Sequence, residues 1–559
     1  PYFLFDIDDS WAFNIDEPVS VKLELARGEG VLVSYDHSSS APVMYAMHGA
    51  TPSSTVEFVL DNARFANRIF AGSDLAIAAT GAVYPYNPLA EHEITICGLT
   101  LERHTQAKKV TPTIGTMQLN LVDAATASPT AARVGLFDGN GRMPLPSRDA
   151  LLIRRYDEEL RQLPIVTERE FWPAPGGYAF YVDGQYRAEV PVGEYELVLM
   201  KGTEYRISRH KVSIQPGKTT EITLELERWH NAPAAGWYSG DVHVHVARGK
   251  RDNPEVLGQM RGEDLHVTNI LQMANVLRSH FPQYAFGETG RYLENDHALV
   301  AGQEAPRSGH RGHAIGLNGA RYYKPKEFFL YHEVARSLRS DGGLFGYAHL
   351  LGDAFHVARG LALDAPLGLV DFVEILQFGV LGTQLYYAML NLGLRIAPAG
   401  GSDYPYIDLP GAARSYVHID GAFTTEAWFE GLRQGNTFVS NGPLLELDVN
   451  GAGMGADLHI ESNQSIEIRA SARLNLDFDK LDRLELIVQG EVVASATSSS
   501  GAESLKISHR LTPEAGLWLA IRAYGKGIAV AHSGPVYVRL AGDPATLARP
   551  LVPALVEKY

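Results

Sequence analysis

The amino-acid sequence predicts a multidomain chain in which an α/β domain, built on a mostly parallel, barrel-like sheet, is flanked by all-β sandwich domains. Three observations carry that expectation. The length of 559 residues exceeds what one core organises, since cores stop growing at roughly 250–300 residues. The texture of the chain changes twice, from short alternating runs to apolar runs interleaved with helix-like stretches after Trp229, and back to short strands near residue 444. Histidines and carboxylates also gather at the ends of the apolar runs in the middle segment, where βα units place their working residues.

Residues 1–112 read as a β-sandwich, because runs such as "VSVKLELARGEGVLVSY" alternate with a period of two and are broken by Ser, Pro and Gly. Residues 113–230 form a second β domain from "TIGTMQLNLVDAATASPTAARVGLFDGNGR" and "GGYAFYVDGQYRAEVPVGEYELVLMKG", with "PSRDALLIRRYDEELRQLP" inserted between them as a partly helical excursion. In residues 231–443 the runs "DVHVHV", "HVTNILQM", "HALVAGQE", "GHAIGLN", "GLFGYAHL", "LVDFVEILQF" and "LRIAPAGGSD" alternate with helical patterns such as "KEFFLYHEVARSLRS" and "TTEAWFEGLRQG". That alternation predicts βα units. Residues 444–559 return to short strands ("LDRLELIVQGEVVASA") and read as an immunoglobulin-like sandwich with a short tail.

Composition narrows the function classes. Hydrophobic residues make up 45% and charged residues 20%, and no apolar run approaches the roughly 20 residues of a membrane helix, so no membrane span is expected. A net charge of −16 repels a phosphate backbone, which sets nucleic acid aside. The single cysteine, Cys97, excludes an intrachain disulfide and a thiolate cluster, leaving any metal to His, Asp and Glu.

The stretch "GWYSGDVHVHVARG" places Asp241, His243 and His245 two residues apart. On a strand they share one face, with about 7 Å between successive side chains, while Val242, Val244 and Val246 take the other. Such spacing suits metal ligands or, alternatively, a polar face turned to water. The rest of the segment favours ligands: Glu304 in "LVAGQEAP", His349 in "FGYAHL" and Asp403 in "PAGGSDYP" close their runs, and His313 in "HRGHAIGL" opens one. Imidazoles suit Zn, Fe, Mn or Co, and a carboxylate bridges two ions about 3.5–4 Å apart. His310, His266, His297 and His356 lie near these candidates and are assigned to structure. Asp241 is expected to hydrogen-bond a ligand histidine from behind, and Glu374 in "VDFVEILQ" to be a structural or supporting carboxylate.

The ordered motifs "SGDVHVH", "GQE", "RGHAIGL", "GYAH", "DFVEILQ" and "GSDYP", with "EDLHVTNILQMAN" and "FVSNGP" beside them, resemble the polymerase-and-histidinol-phosphatase (PHP) superfamily, in particular its carbaryl-hydrolase (CehA/McbA-type) group. The resemblance covers residues 235–443 and implies a distorted (β/α)7 PHP barrel. It further implies one ion on His243, His245, Glu304 and Asp403 and a second on Glu304, His313 and His349. The segment "VPVGEYELVLMKG" is similar to carboxypeptidase-regulatory-like modules. The chain departs from the superfamily where Tyr404 and Pro405, rather than a histidine, follow Asp403, which argues against a third ion.

The resulting expectation is a metallohydrolase with two divalent ions, zinc foremost, in which Glu304 and Asp403 serve catalysis and a metal-held hydroxide cleaves an ester, carbamate or amide bond. The substrate is a small molecule such as an aryl ester or carbamate. Phe281, Tyr284, Phe286, Phe355, Tyr404 and Tyr406 are candidates to line the mouth. The alternatives are phosphoester hydrolysis at the same site and a non-catalytic glycan- or surface-binding protein. No nucleotide cofactor is expected, since the chain lacks a P-loop or dinucleotide fingerprint, and self-association into a homo-oligomer is left open. Several β-sandwiches around one reactive domain suggest a periplasmic or secreted protein, with a cytoplasmic one as the alternative.

Overall fold

The structure, a computed structural model, describes residues 2–151 with gaps, the longest at 80–93, 105–113 and 139–146, and residues 179–542 apart from 276–277, 328, 351–358 and 407–408. The chain divides into two compact units, one of residues 1–114 and 158–169, the other of 115–157 and 170–559. In the first, Tyr2–Phe5, Leu75–Ala79, Gly30–Asp36 and Val43–Gly49 form one sheet, and Thr55–Ala63, Glu17–Arg27 and Thr95–Arg103 another. Val19, Val21 and Leu23 of one sheet pack against Val31, Val33 and Ile77 of the other, which makes the unit a β-sandwich.

The second unit opens with another sandwich, a four-stranded antiparallel sheet through Ala131–Asp138 and Gly193–Met200 over a three-stranded sheet centred on Ile114–Asp123. Leu119 and Leu121 meet Val134, Leu136, Leu197 and Leu199 in its core. The expected helical insertion lies almost wholly outside the described residues. At the other end Leu444–Val449, Ile466–Arg473 and Ser504–Leu511 form a sheet. Its Ile466, Ile468 and Leu447 pack on Leu484, Leu486 and Leu519 of the facing strands.

Between these lies the segment that carries the candidate residues. Its strands are β1 (Trp237–Val244), β2 (Val267–Ala274), β3 (His297–Ser308), β4 (Gly312–Leu317), β5 (Leu344–Tyr347), β6 (Phe372–Gln377), β7 (Ala397–Gly400), β8 (Arg414–His418) and β9 (Thr437–Ser440). The expected (β/α)7 PHP barrel is not what they build. β1–β2, β2–β3, β5–β6 and β6–β7 pair in parallel, but β3–β4, β4–β5, β1–β8 and β8–β9 pair antiparallel. β9 then pairs with Val530–Ser533, so the sheet runs on into the C-terminal sandwich and reaches 18 strands. Among the described residues, helices longer than one turn here are Asn253–Gly262, Tyr331–Ser340, Gln384–Asn391 and Thr425–Gln434, too few for seven βα units. The physical reason is that apolar runs report burial but not strand direction. Only three residues separate β3 from β4, a connection that permits a hairpin and forbids a parallel crossover.

No helix among the described residues is long and apolar enough to cross a membrane.

The N-terminal sandwich of this unit is fastened to the central segment by Arg228. Its Nη1 donates to Glu204 Oε2 at 2.7 Å and its Nη2 to Asp264 Oδ1 at 2.8 Å, and both carboxylates are buried. Burial, with Asp264 nearby, pushes the Glu204 carboxyl up to about 7, whereas Arg228 outweighs burial and keeps Asp264 ionised. Arg228→Met is therefore expected to lower the unfolding free energy by about 3–5 kcal/mol, because it strands two buried acids. A denaturant midpoint unmoved by the substitution would contradict this seam.

Candidate metal centre

The six candidate ligands come from the ends of five strands. His243 lies in β1, where the ladder to β2 shifts register between Asp241 and Val244, and His245 follows the strand. Glu304 sits in β3 opposite Met273 of β2. His313, at the start of β4, pairs with Arg307 across the hairpin. His349 lies two residues past β5, and Asp403 three past β7. The Asp403 N–H donates to His243 O at 2.8 Å and the His245 N–H to Tyr404 O at 2.7 Å, tying the β7 loop to β1. His349 and Asp403 both adopt left-handed backbone, with φ of 59° and 56°, a conformation non-glycine residues rarely hold without a tertiary reason.

Three of the four imidazoles are fixed from behind. His245 Nδ1 lies 2.9 Å from Leu271 O, and a carbonyl only accepts, so Nδ1 carries the proton and Nε2 presents its lone pair. His243 Nδ1 donates to Glu374 Oε1 at 2.9 Å, and His349 Nδ1 donates to Gln377 Oε1. The forward nitrogens then converge. His243 Nε2 and His245 Nε2 are 3.0 Å apart, and Asp403 Oδ1 lies 3.3 and 3.2 Å from them. Bonds of roughly 2.0–2.2 Å to a tetrahedral ion place neighbouring ligands about 3.3–3.5 Å apart, so this triangle fits one face of such a site.

A second triangle adjoins the first. Glu304 Oε1 lies 2.7 Å from His313 Nδ1 and 3.7 Å from His349 Nε2, and those nitrogens are 3.1 Å apart. Glu304 Oε2 is 3.6 Å from His245 Nε2, so one carboxylate addresses both groups. Glu304 Oε1 is buried without a hydrogen bond of good geometry, despite its closeness to His313. The orphaned oxygen and the converging nitrogens fit the two-ion assignment that the motifs imply.

Electrostatics agree. Burial alone would raise the Glu304 carboxyl, but Arg307 and His313 hold it well below the ordinary carboxylate range. Burial likewise opposes ionisation of Asp403, and His243 outweighs it. The imidazolium of His243 is disfavoured by burial, yet Glu374 and Asp403 raise its pKa to about 10. His243 and His245 are fully buried, while the side chains of Asp403, His313 and His349 keep 12%, 17% and 11% exposure. The centre is closed behind and open at one rim.

The supporting residues differ from expectation in one respect. Asp241 does not touch a ligand imidazole. Its carboxylate instead accepts the backbone N–H of His243 at 2.9 Å, of Ser402 at 3.1 Å and of Gly411 at 2.7 Å, clamping β1 to the loop that carries Asp403. Glu374 holds both the His243 ring and, at 3.2 Å, the His349 backbone N–H. Sequence reading missed Gln377, since a position three residues from Glu374 falls on the opposite face of a regular strand. Gly401 belongs here as well: a Cβ would stand 2.5 Å from His243 Cβ and 2.6 Å from Glu374 Oε1.

The other histidines stay outside. His310 meets Phe329 edge-on at 6.5 Å, and His266 and His297 stack on each other at 5.0 Å. His356 and Phe355 lie outside the described residues. Of the aromatic candidates, Phe281 is buried against the His245 ring at 5.1 Å and Tyr406 meets that ring edge-on at 5.8 Å. Tyr284 packs under Arg248, Phe286 against Tyr322, and Tyr404 is buried.

No family model matches the chain, and no curated protein matches it. Among solved structures it is similar to fibronectin(III)-like modules of Clostridium thermocellum CbhA, at 20% identity over 18% of this chain and 99% of that one, with a TM-score of 0.13. It is also similar to a minor pilin of Streptococcus agalactiae, at 15% identity over 39% and 86%, TM-score 0.17. A third is the major pilin subunit BcpA of Bacillus cereus, at 13% identity over 38% and 60%, TM-score 0.13. Likeness this slight assigns no function.

Two outcomes are expected of the centre. His243→Ala, Asp403→Ala and His313→Ala should each lower the metal bound per chain, measured by elemental analysis, with an unchanged far-ultraviolet circular dichroism spectrum; His310→Ala should not. Because His243 holds its proton up to about pH 10, a metal must displace it, so binding near pH 7 should release a proton and tighten as pH rises. Calorimetry in buffers of different ionisation enthalpy reads that proton, and uptake independent of pH would contradict the assignment.

Proposed function

We propose that this chain is a metal-dependent hydrolase that cleaves an ester, carbamate or amide bond of a small molecule. The observation that supports it most is the convergence of four imidazoles with Asp403 and Glu304 at a centre open on one side only. Two divalent ions held by these residues, zinc or by the same donor chemistry manganese, iron or cobalt, supply Lewis acidity to the scissile carbonyl and make a water acidic near neutral pH.

The chain's residues prepare that chemistry. Glu304 and Asp403 stay ionised at neutral pH and offer charged oxygens to the centre. Leu271 O, Glu374 and Gln377 hold the rings from behind, so little reorganisation is left for the reaction. The exposed rim of Asp403, His313 and His349 sets the side of approach. Half-buried Tyr406 and Phe378, the latter 6.1 Å from the His349 ring, offer faces on which a flat leaving group stacks.

The motif resemblance to the carbaryl-hydrolase group supports a carbonyl rather than a phosphorus centre, as does Tyr404 in place of a histidine after Asp403. Several β-sandwiches around one reactive segment support export to the periplasm or the exterior. The hydrolase is tested with 1-naphthyl acetate, 1-naphthyl methylcarbamate and 1-naphthyl phosphate, which share a leaving group. Metal-loaded protein should release naphthol from a carbonyl compound faster than from the phosphate. Faster release from the phosphate would replace this reading with a phosphoesterase. Fewer than about one ion per chain, not restored by added zinc or manganese, would favour a binding protein.

A further inference from the structure

Arg307 stands three residues after Glu304, a spacing that puts two side chains on opposite faces of a regular strand. The ladder between β3 and β4 alters this. It pairs Glu304 with Ile315 and Arg307 with His313, so three steps along β3 face two along β4, and the extra residue returns Arg307 to the face of Glu304. Arg307 Nε accordingly lies 3.6 Å from Glu304 Oε1. Its Nη1 reaches Met273 Sδ at 2.7 Å, and the Tyr406 hydroxyl stands 3.8 Å from the same sulfur while the Tyr406 ring meets that of His245 at 5.8 Å. The guanidinium thus lies between the carboxylate that both triangles share and the sulfur that Tyr406 approaches.

A guanidinium carries five N–H donors, and these have little to bond. Nε is buried without a hydrogen bond, because 3.6 Å to Glu304 exceeds hydrogen-bond reach. Nη1 meets only a thioether, a weak acceptor, and no oxygen among the described residues takes an N–H from Arg307. The charge of Arg307 is in use, since it helps to hold Glu304 ionised. Its directional donors are not. The side chain keeps 24% exposure, more than those of Asp403, His313 and His349, which places it on the open rim of the centre.

We propose that Arg307 is a catalytic residue of the hydrolase, donating N–H bonds to the acyl oxygen of the substrate as negative charge gathers there. The inference rests on the hydrolase reading for the bond cleaved, and on the placement of Arg307 for the donor. A water oxygen that has released one proton to solvent bonds to the acyl carbon, and the C=O electron pair moves onto the acyl oxygen, where the guanidinium meets it. The pair returns as the bond to the leaving group breaks. The leaving oxygen takes the proton of the new acid, carboxylic or carbamic, and the acid remains as an anion. A donor held in place beforehand by the β3 bulge stabilises that oxyanion without reorganising.

The test substitutes Arg307 and follows kcat, KM and zinc content together. In zinc-loaded protein Arg307→Gln is expected to lower kcat about hundredfold for whichever naphthyl ester or carbamate the chain cleaves faster, the scale of one oxyanion donor, with KM within about threefold and zinc content unchanged. Arg307→Lys, which keeps the positive charge beside Glu304 but not the planar fork, should keep the zinc and recover only part of the loss; it carries the test if the glutamine variant does not fold. A role confined to holding Glu304 predicts instead that zinc content falls with kcat in the glutamine variant and that lysine restores full activity. Either result, or an unchanged kcat, overturns the proposal. Methylphosphonate, a tetrahedral anion resembling the species formed from an acetyl ester, separates the two claims when titrated calorimetrically into protein supplied with zinc. Binding weakened about tenfold by Arg307→Gln, with no ester or carbamate cleaved, keeps Arg307 as the anion donor and discards the hydrolase; equal binding by the two proteins, or none by either, discards the arginine.

Discussion

Two imidazole nitrogens and a carboxylate oxygen lie within 3.0–3.3 Å of one another in a buried place, where a proton or a metal cation between them offsets the repulsion of their lone pairs. The environment of the centre follows from that constraint. A proton on His243 relieves the first group of contacts, and the second, where His313 Nδ1 meets Glu304 Oε1 at 2.7 Å and His349 Nε2 at 3.1 Å, needs a proton of its own. Cations coordinated by both groups relieve all of them at once. The rear bonds to Leu271 O, Glu374 and Gln377 make the arrangement persistent, because they remove the alternative tautomers through which the rings would otherwise escape.

Such a centre stabilises the fold only when occupied, so the scaffold must hold it when it is not. Backbone does much of this. Asp241 draws three N–H groups from two separate segments onto one carboxylate, and burial with so many donors leaves its pKa near 6. The loop from β7 is laced to β1 by hydrogen bonds on either side of Tyr404, and Gly401 lets that loop pass against His243. The left-handed backbone at His349 and Asp403 belongs to the same economy: strain is tolerated where it aims a ligand. Strand ends supply five directions of approach, which a β-rich frame offers as readily as a βα barrel.

The residues that converge at the centre were legible in the sequence while the sheet that carries them was not. His243, His245, Glu304, His313, His349 and Asp403 stood out because imidazoles and carboxylates are rare at the ends of apolar runs, and that pattern survives whichever way the strands run. Strand direction leaves no such mark, except where a connection is as short as the one between Ser308 and Gly312. Asp241 bonds the candidate ligand His243 as expected, but through its backbone N–H, and it also takes the N–H groups of Ser402 and Gly411, which periodicity does not reveal. Gln377 depends on the tertiary approach of His349, 28 residues away in sequence.

The central proposal is that this centre holds two cations that share Glu304. The direct measurement is anomalous scattering from zinc-soaked crystals at the zinc absorption edge. Two peaks about 3.5–4 Å apart are predicted, one bounded by His243, His245 and Asp403, the other by His313 and His349, with Glu304 between them. A single peak remote from these residues, or no peak at a well-ordered centre, would contradict it.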